Sequence, residues 1–359
     1  MRIVQLLPTL SFGDAVSNDA AAIHRMIGEL GYEPELYAVN IDKKVRDLPV
    51  RPVKEMEPLG EEDVLIYHGS TGDPLNTRIF RMKGRKLIRY HNITPPHFFH
   101  AYSAEAELRC AMGYREMQRL AGAFDRGLAD SDYNRQDMRR LGFRCPVDVC
   151  PILIPWEDYA KEPDARVLET YGGDGWTNLL FVGRIAPNKR QENVIRAFYD
   201  YHWRYNARSR LFLVGNSVGM EAYRAKLEQY VKQLGLAGRV VFTGQTRFPE
   251  ILAYYRLADV FLCMSEHEGF CVPLLEAMYF GVPVVALKAA AVPETIGNAG
   301  ILLDSDDPGL ASAAVDRVIR DEKLRQGIRE IQKKRLVRYS YEAVSRRMEQ
   351  TLLKMIGGS

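Results

Sequence analysis

Short apolar runs alternate with longer amphipathic stretches along the first part of the chain. Apolar runs bounded by polar or turn residues predict buried strands, and stretches with an apolar position every three or four residues predict helices. The predicted strands are residues 3–7, 35–39, 64–67, 86–90, 127–129 and 147–152, and the predicted helices are residues 19–30, 102–123 and 131–141. Strands that alternate with helices indicate a parallel sheet covered on both faces.

The same alternation returns after a break. Residues 156–178 have few periodic apolar positions and contain Gly172-Gly173-Asp174-Gly175, which is typical of a linker. The strands predicted beyond it are residues 179–183, 210–215, 240–242, 260–264, 282–286 and 299–303, and the helices are residues 190–201, 221–234, 249–257 and a region near 308–356.

We therefore expect an α/β fold with two doubly wound, Rossmann-like domains that face each other across a cleft. The first domain covers residues 1–155 and the second covers residues 156–340, and a helix at 341–359 packs back on the first domain. In such sheets ligands bind beyond the carboxyl ends of the strands. The residues found there are Gly13, His91, Gly183 with Arg184, Gly215, Thr243 with Gly244, and residues 266–269.

Composition narrows the class of protein. The chain has 359 residues, enough for two cores, and its 47% apolar and 26% charged residues are ordinary for a soluble globular protein. A net charge of +3 is too small to indicate a nucleic-acid partner. No apolar run approaches the ~18 residues of a spanning helix, and the first strand follows Met1 directly, leaving no room for a signal peptide. Five scattered cysteines indicate reduced thiols, so we expect a cytoplasmic protein.

A basic stretch leaves one question of location open. Twelve positions without an acid contain six basic residues, namely Arg78, Arg81, Lys83, Arg85, Lys86 and Arg89. Such a stretch is either a solvated face or a patch that docks on a membrane surface or a lipid diphosphate. Peripheral contact with the inner face of the membrane is therefore the second hypothesis.

The clearest chemical signal lies between residues 265 and 276. An apolar strand runs into this stretch, and Pro273 suits the first turn of a helix because its missing N–H costs nothing there. The N–H groups around Gly269, Phe270 and Cys271 would then be unpaired at a helix N-terminus. Such a terminus binds anions, and phosphate is its usual ligand.

Two carboxylates flank this predicted anion site. Glu268 precedes the helix and Glu276 lies about one turn inside it. Because carboxylates repel phosphate, we expect both to face hydroxyl groups of the same ligand. A ligand with phosphates in the middle and hydroxyls at both ends is a nucleotide sugar.

A second loop supplies the opposite charge. Gly183, Arg184 and Lys189 follow the strand at 179–183. Two cations at this point can neutralise a diphosphate leaving group. The alternative is a solvated loop with two ordinary surface charges.

Together these motifs resemble the family 4 glycosyltransferases, which are retaining enzymes of the GT-B fold. The residues that carry the resemblance are Gly183-Arg184 with Lys189, the Glu268 and Glu276 pair, Gly13-Asp-Ala-Val-Ser-Asn18, His91, and Tyr339-Ser-Tyr-Glu-Ala. The similarity spans nearly the whole chain, and it is greatest to bacterial members that make surface polysaccharides. The resemblance implies hexose transfer from a nucleoside diphosphate sugar to a hydroxyl of a glycan or lipid-linked acceptor, with mannose or a deoxyhexose favoured.

The resemblance also assigns roles in the second domain. It implies that Arg184 and Lys189 bind the donor diphosphate, that Glu268 holds hydroxyls of the transferred sugar, and that Glu276 holds the ribose. The backbone N–H groups of Phe270 and Cys271 would contact sugar and phosphate. The remaining donor-contacting positions are Gly183, Gly215 and Gly269.

In the first domain the resemblance places His91 near the reacting carbon and lets the backbone at Gly13 approach the phosphates. This glycine loop departs from the family pattern, because many relatives carry a Gly-Gly pair where Phe12-Gly13-Asp14 stands here.

No metal or other cofactor is expected. Asp130-Ser-Asp132 and Asp304-Ser-Asp306 match a pair that binds a divalent metal in the other large glycosyltransferase fold. Here Ser131 is better explained as a helix cap and 304–307 as a turn. Arg184 and Lys189 already supply positive charge.

Two other functions stay open at this point. Nucleotide-sugar epimerases share the two-domain architecture, and a non-catalytic nucleotide-sugar binding protein would use the same donor residues.

Overall fold

The structure is a computed structural model that describes residues 1–11, 13–45 and 48–357. The chain divides into two compact units. The first contains Met1–Pro96, Glu107–Trp156 and Arg338–Ser359, and the second contains His97–Ala106 and Glu157–Val337. Residues 97–106, assigned from the sequence to the first domain, therefore group with the second unit. In this segment the Tyr102 hydroxyl lies 2.8 Å from Lys226 Nζ.

The described residues form the following elements. The strands are β1 (Ile3–Leu10), β2 (Pro34–Ile41), β3 (Val50–Pro52), β4 (Val64–Gly69), β5 (Arg85–Tyr90), β6 (Arg126–Ala129), β7 (Val147–Val149), β8 (Thr177–Val182), β9 (Ser209–Val214), β10 (Val240–Gly244), β11 (Val260–Cys263), β12 (Val284–Leu287) and β13 (Ile301–Leu303). The helices are α1 (Ala15–Glu29), α2 (Pro74–Ile79), α3 (Ala104–Leu120), α4 (Asp132–Arg140), α5 (Ala165–Tyr171), α6 (Gln191–Arg204), α7 (Glu221–Gln233), α8 (Phe248–Leu257), α9 (Val272–Tyr279), α10 (Val292–Ile296), α11 (Pro308–Arg320), α12 (Glu322–Leu336) and α13 (Tyr341–Ile356).

Each unit is built on one parallel sheet. Across the described residues, the first sheet has the order β3-β2-β1-β4-β5-β6-β7 and the second has the order β10-β9-β8-β11-β12-β13. The strand order reverses between β1 and β4 in the first sheet and between β8 and β11 in the second. Ligands of doubly wound sheets bind at this reversal, beyond the carboxyl ends of the strands. The prediction of two doubly wound α/β domains is confirmed.

The core of the first unit lies on both faces of its sheet. One face buries residues such as Leu6, Tyr67 and Ile88, and the other buries Ile3, Ile66 and Leu128. Because both faces are covered, its central strands read as nearly continuous apolar runs, which is why the apolar pattern located them.

Helix α13 completes the second of these two layers. Its buried side chains are Val344, Met348, Leu352 and Met355. They recur at helical spacing and pack with Ile3 and Leu128 of the sheet. The last helix is therefore part of the core of the first unit.

The basic stretch at residues 78–89 has partners within the first unit, and one of them is helix α13. Arg85 donates to the carbonyl oxygens of Met355 and Ile356 at the end of this helix. Arg89 is buried, with 1% of its side chain exposed, and Lys83 pairs with Glu61. The six basic residues therefore do not form one continuous face. Among the described residues, no helix is both long and apolar enough to cross a membrane.

Helices α1 and α5 depart from the prediction for local reasons. Helix α1 begins at Ala15 rather than residue 19, because the Asp14 side chain accepts from the Ser17 N–H and acts as the N-cap. Helix α5 lies inside the predicted linker and is capped in the same way by Asp164. It buries no side chain, so it has no apolar period to detect.

Candidate active site

In the second unit, two glycines shape the backbone where β8 and β9 end. Gly215 has φ +147°, and a Cβ atom at this position would lie 2.1 Å from the carbonyl oxygen of Gly183. The Gly183 N–H also donates to the Val214 carbonyl at 2.9 Å. The two strand ends therefore approach too closely for a side chain at Gly215.

The loop after β8 is held against the loop after β11. The side-chain amide of the buried Asn188 donates to the His267 carbonyl oxygen at 3.1 Å. The backbone carbonyl oxygen of Asn188 accepts from the Glu266 N–H at 3.0 Å. Lys189 follows directly, and its Nζ lies 2.5 Å from Glu268 Oε2. The structure thus brings together Lys189 and Glu268, two residues that sequence analysis selected from separate motifs.

The Lys189–Glu268 pair is largely shielded from water. Glu268 is buried, and 22% of the Lys189 side chain is exposed. Burial opposes the charge on Lys189, but the negative charge of Glu268 outweighs it, so the pKa of Lys189 is raised above its ordinary value. The ammonium is therefore fixed as a cation next to a buried carboxylate.

Helix α9 starts where the sequence predicts. Its N-cap is Cys271, which has the left-handed backbone angles φ 73° and ψ 68°, and Pro273 lies in its first turn. The Thr295 hydroxyl donates to the Phe270 carbonyl at 2.6 Å, and the Glu268 carbonyl accepts from Ala291 at 3.2 Å. These bonds fix the path of the chain around Gly269 into the helix. Phosphate binding by this terminus stays a prediction.

Glu276 is held by two tyrosines. The Tyr159 hydroxyl donates to its Oε1 and the Tyr255 hydroxyl donates to its Oε2, both at 2.6 Å. Burial raises the pKa of Glu276, and the two hydrogen bonds act in the opposite direction. Tyr159 lies in the predicted linker and Tyr255 on a predicted helix, so neither carried a signal for this contact.

Arg184 has a different environment from Lys189. It is exposed, and its Nη2 donates to the Val218 carbonyl at 2.8 Å. Its predicted role with the diphosphate stays a prediction.

Two cysteines lie next to Glu268. Cys263 ends β11, and its thiol is hydrogen-bonded with that of Cys271. This bond lowers the pKa of Cys263 and raises that of Cys271 well above its ordinary value. The sequence contains no Cys-x-x-Cys spacing, which argued against a zinc site, and it predicted no contact of either thiol with Glu268.

In the first unit, His91 follows β5 and is enclosed by polar partners. Its Nε2 lies 2.9 Å from His68 Nδ1, and its Nδ1 lies 3.1 Å from Asp130 Oδ2. Only 2% of its side chain is exposed. Both ring nitrogens therefore have protein partners, and the predicted role of His91 beside the reacting carbon stays a prediction.

The hydrogen bonds assign the direction of this network. Gln5 donates its amide nitrogen to the Ala20 carbonyl at 3.0 Å, so its oxygen accepts from His68 Nε2 at 3.0 Å. Burial lowers the pKa of His68 well below its ordinary value and keeps the ring neutral. His68 Nδ1 is then an acceptor, and His91 donates to it through Nε2.

A buried ion pair lies next to the two histidines. Arg89 Nε donates to Asp19 Oδ2 at 2.8 Å, and its Nη2 lies 3.1 Å from Asp130 Oδ1. Burial opposes ionisation of Asp19, but the positive charge of Arg89 outweighs it and lowers the pKa of Asp19. Asp130 follows β6 as His91 follows β5, and His68 lies one residue before the end of β4, so the strand-end rule that selected His91 could have selected them too.

The glycine loop of the first unit lies before α1. Gly13 is exposed and has φ +74°, and Asp14 follows it as the cap of the helix. Phe12, which takes part in the departure from the family pattern, lies outside the described residues. The approach of this loop to phosphate is untested.

Two groups could hold a metal within the part of the chain that the structure describes. They are Asp19, His68 and His91, and Cys263, Glu268 and Cys271, with ligand atoms that lie within 4.8 Å of one another in each group. The first group is already bound by Arg89, Gln5 and Asp130. Of the Asp-x-Asp matches, Ser131 caps α4 as predicted.

Comparison with known proteins agrees with this geometry. The family described as glycosyl transferases group 1 matches residues 175–335. The chain is 29% identical over 208 residues to the O-antigen chain mannosyltransferase B of Escherichia coli, a match that covers 55% of this chain and 52% of that protein. It is 32% identical over 184 residues to a GDP-mannose-dependent alpha-(1-6)-phosphatidylinositol monomannoside mannosyltransferase of Mycolicibacterium smegmatis, covering 48% and 47%. The chain spans about half the length of these curated relatives.

Similarity to solved structures extends over nearly all of the chain. The HepE protein of Anabaena in complex with UDP-glucose has a TM-score of 0.78 at 18% identity, covering 98% of this chain and 99% of that one. At this identity the likeness establishes the fold. Residues 175–335 therefore match a glycosyl transferases group 1 domain, and the chain has the GT-B fold that its resemblance to the family 4 enzymes implied.

Proposed function

We propose that the protein is a retaining glycosyltransferase that moves a hexose from a nucleoside diphosphate sugar to a hydroxyl of a glycan or lipid-linked acceptor. The observation that carries the proposal is the Lys189–Glu268 pair in the loops that follow β8 and β11. These strands flank the reversal of the second sheet, where a nucleotide is expected to bind. The start of α9 follows in the same stretch of chain.

In this proposal, binding of the donor breaks the ion pair between Lys189 and Glu268. The ammonium of Lys189 turns to the diphosphate and the carboxylate of Glu268 accepts from hydroxyls of the sugar. Loss of the diphosphate leaves an oxocarbenium-like centre, and Lys189, Arg184 and the N-terminus of α9 stabilise the departing charge. Each contact of this kind is typically worth ~2.7–4 kcal/mol in the transition state.

Retention is explained by displacement on one face of the sugar. The leaving phosphate accepts the proton of the acceptor hydroxyl, so no covalent enzyme intermediate is needed. The positive charge that stabilises the departing diphosphate comes from side chains in this proposal. We therefore expect transfer to continue after chelation of divalent cations.

The names of the relatives suggest which donors to test. Two are called mannosyltransferases, one of them GDP-mannose-dependent, and HepE was solved with UDP-glucose. We propose a mannosyltransferase of bacterial cell-surface polysaccharide synthesis in the cytoplasm. A lipid-linked acceptor would bring the protein to the inner face of the membrane.

The experiment is a panel of nucleotide sugars tested for thermal stabilisation, since a ligand at about 100 times its Kd stabilises by about 2.7 kcal/mol. The stabilising donor is then incubated with and without an acceptor, and the products are identified. We expect slow release of nucleoside diphosphate from donor alone, and its acceleration by acceptor. A changed sugar without acceptor would instead establish an epimerase. Donor binding without either reaction, across a broad acceptor panel, would indicate a binding protein.

A further inference from the structure

Two thiols and a carboxylate come together beside the start of helix α9. Cys263 is the last residue of β11, Cys271 is the N-cap of α9, and Glu268 lies in the loop between them. Their ligand atoms all lie within 4.8 Å of one another. All three residues are buried, with 1%, 8% and 7% of their surface exposed. Both cysteines are free thiols.

This cluster already holds a positive charge. The Nζ atom of Lys189 lies 2.5 Å from Glu268 Oε2, and the two sulfur atoms lie within 4.8 Å of a ligand oxygen of the same carboxylate. The carboxylate and the sulfur atoms therefore form an environment that accepts a cation, and a side chain of the same chain occupies it.

The ligand set selects a class of metal ion. Mg²⁺ and Ca²⁺ prefer oxygen ligands throughout, whereas thiolates select thiophilic ions such as Zn²⁺. Zinc binds sulfur at about 2.3 Å and carboxylate oxygen at about 2.0–2.2 Å, so its ligands lie within about 4 Å of one another. A small contraction of the present cluster meets this requirement. Three protein ligands leave a fourth position for water.

We propose that Cys263, Cys271 and Glu268 form a binding site for a thiophilic divalent cation, and that this cation competes with Lys189 for Glu268. Coordination requires thiolates, so binding releases thiol protons to the solvent. A bound ion separates Lys189 from Glu268. If the proposed function holds, the ion also inhibits donor binding, but its own binding does not depend on that function.

The test is a titration of the full chain with Cd²⁺, without donor or acceptor and in a phosphine reductant that keeps the thiols reduced. The readouts are equilibrium dialysis and the ultraviolet charge-transfer band between sulfur and cadmium. We expect one tightly bound Cd²⁺ per chain, and loss of this site in Cys263→Ser. The matched control is Cys145→Ser, which removes a half-buried thiol outside the cluster and should bind as the unmodified chain does. An undiminished band in Cys263→Ser overturns the proposal.

A second variant keeps the site testable if Cys263→Ser does not fold. Glu268→Gln keeps both thiols and removes the carboxylate, so its affinity for Cd²⁺ should fall by about tenfold or more, the size of one contact to a charged group. Circular dichroism confirms that each variant is folded before it is titrated. Unchanged affinity in folded Glu268→Gln excludes the carboxylate from the site.

Substitution of Lys189 tests the competition, because it should raise the affinity for Cd²⁺ where the other variants lower it. Lys189→Met removes the competing ammonium, so Cd²⁺ should bind about tenfold more tightly. Lys189→Arg keeps a cation at this position and should retain the weaker affinity. General damage to the site cannot raise affinity, and equal or weaker binding in folded Lys189→Met overturns the competition. Because none of these readouts involves sugar transfer, their failure and failure of the proposed function are distinguishable.

Discussion

Lys189 Nζ and Glu268 Oε2 lie 2.5 Å apart in the second unit, although 79 positions separate them in the chain. Each is the partner that keeps the other's charge compensated in a largely buried place. A buried pair that loses one member leaves an uncompensated charge, which is more costly than the loss of both.

The first prediction follows from this pairing. Lys189→Met and Glu268→Gln should each lower kcat/KM for transfer by about 100-fold or more, and each should lower the free energy of unfolding. The double variant should unfold at a higher urea concentration than either single variant, because no charge is then unpaired. Initial rates and urea unfolding of all four proteins measure both effects.

The matched control is the exposed pair Lys288 and Asp304, whose closest atoms are 3.3 Å apart. Removing either partner there should change the free energy of unfolding by less than about 1 kcal/mol. A double variant at Lys189 and Glu268 that is less stable than both singles would contradict the prediction.

The second prediction concerns the tyrosines that hold Glu276. Tyr255→Phe keeps the ring packed against Phe280 but removes the hydrogen bond to Oε2. If Glu276 binds the ribose, its loss of orientation should raise the Kd for the nucleoside diphosphate about tenfold, the size of one hydrogen bond to a charged group. Calorimetric titration measures this change. Tyr254→Phe, on the same helix, is the control and should bind normally.

The third prediction is a dependence of stability on pH. Burial keeps His68 neutral in the folded protein, whereas an unfolded histidine takes up a proton below about pH 6.5. Protons then favour the unfolded state, so His68 lowers the free energy of unfolding as the pH falls below this value, by up to about 1.4 kcal/mol per unit. His68→Gln should remove this contribution and flatten the slope of stability against pH.

Urea unfolding between about pH 7 and about pH 5 measures that slope. The titratable and charged side chains around His68 are Asp19, Arg89 and His91, and none of them is changed in the variant. The exposed His100 provides the control, because His100→Gln should leave the slope as it was. An equal slope in His68→Gln and the unmodified chain would contradict the prediction.

The fourth prediction concerns Gly215. In Gly215→Ala the new Cβ would overlap the Gly183 carbonyl oxygen, and the residue would keep a positive φ. The free energy of unfolding should fall by more than about 3 kcal/mol, and donor-induced stabilisation should be lost. Gly327→Ala is the control: it adds a Cβ on helix α12 with nothing within 4 Å, and should stabilise by about 0.5–1 kcal/mol. Thermal unfolding of both variants measures these changes in stability.

The apolar pattern was sufficient for the fold because the central strands are buried on both faces. Strands such as β4 and β11 are fully buried and therefore stand out as apolar runs. Helix α5 was missed because it buries no side chain, and the first residues of α1 were missed because a polar cap determines its start.

The candidate site was predicted only in part. Strand ends and a helix start located Lys189, Glu268 and Glu276, because these positions follow from local chain direction. Their partners in space are set by packing between distant segments. The contact of Tyr159 with Glu276 joins positions 117 apart, and no local pattern encodes it.

Helix α13 also determines the order in which the chain can fold during synthesis. Val344, Met348 and Leu352 complete the core under the first sheet, yet they are made after every residue of the second unit. All of the second unit is therefore synthesised before α13, while the first unit waits with part of one apolar face, beside α1, uncovered. A chaperone that binds exposed apolar surface would meet the half of the protein that is made first and completed last.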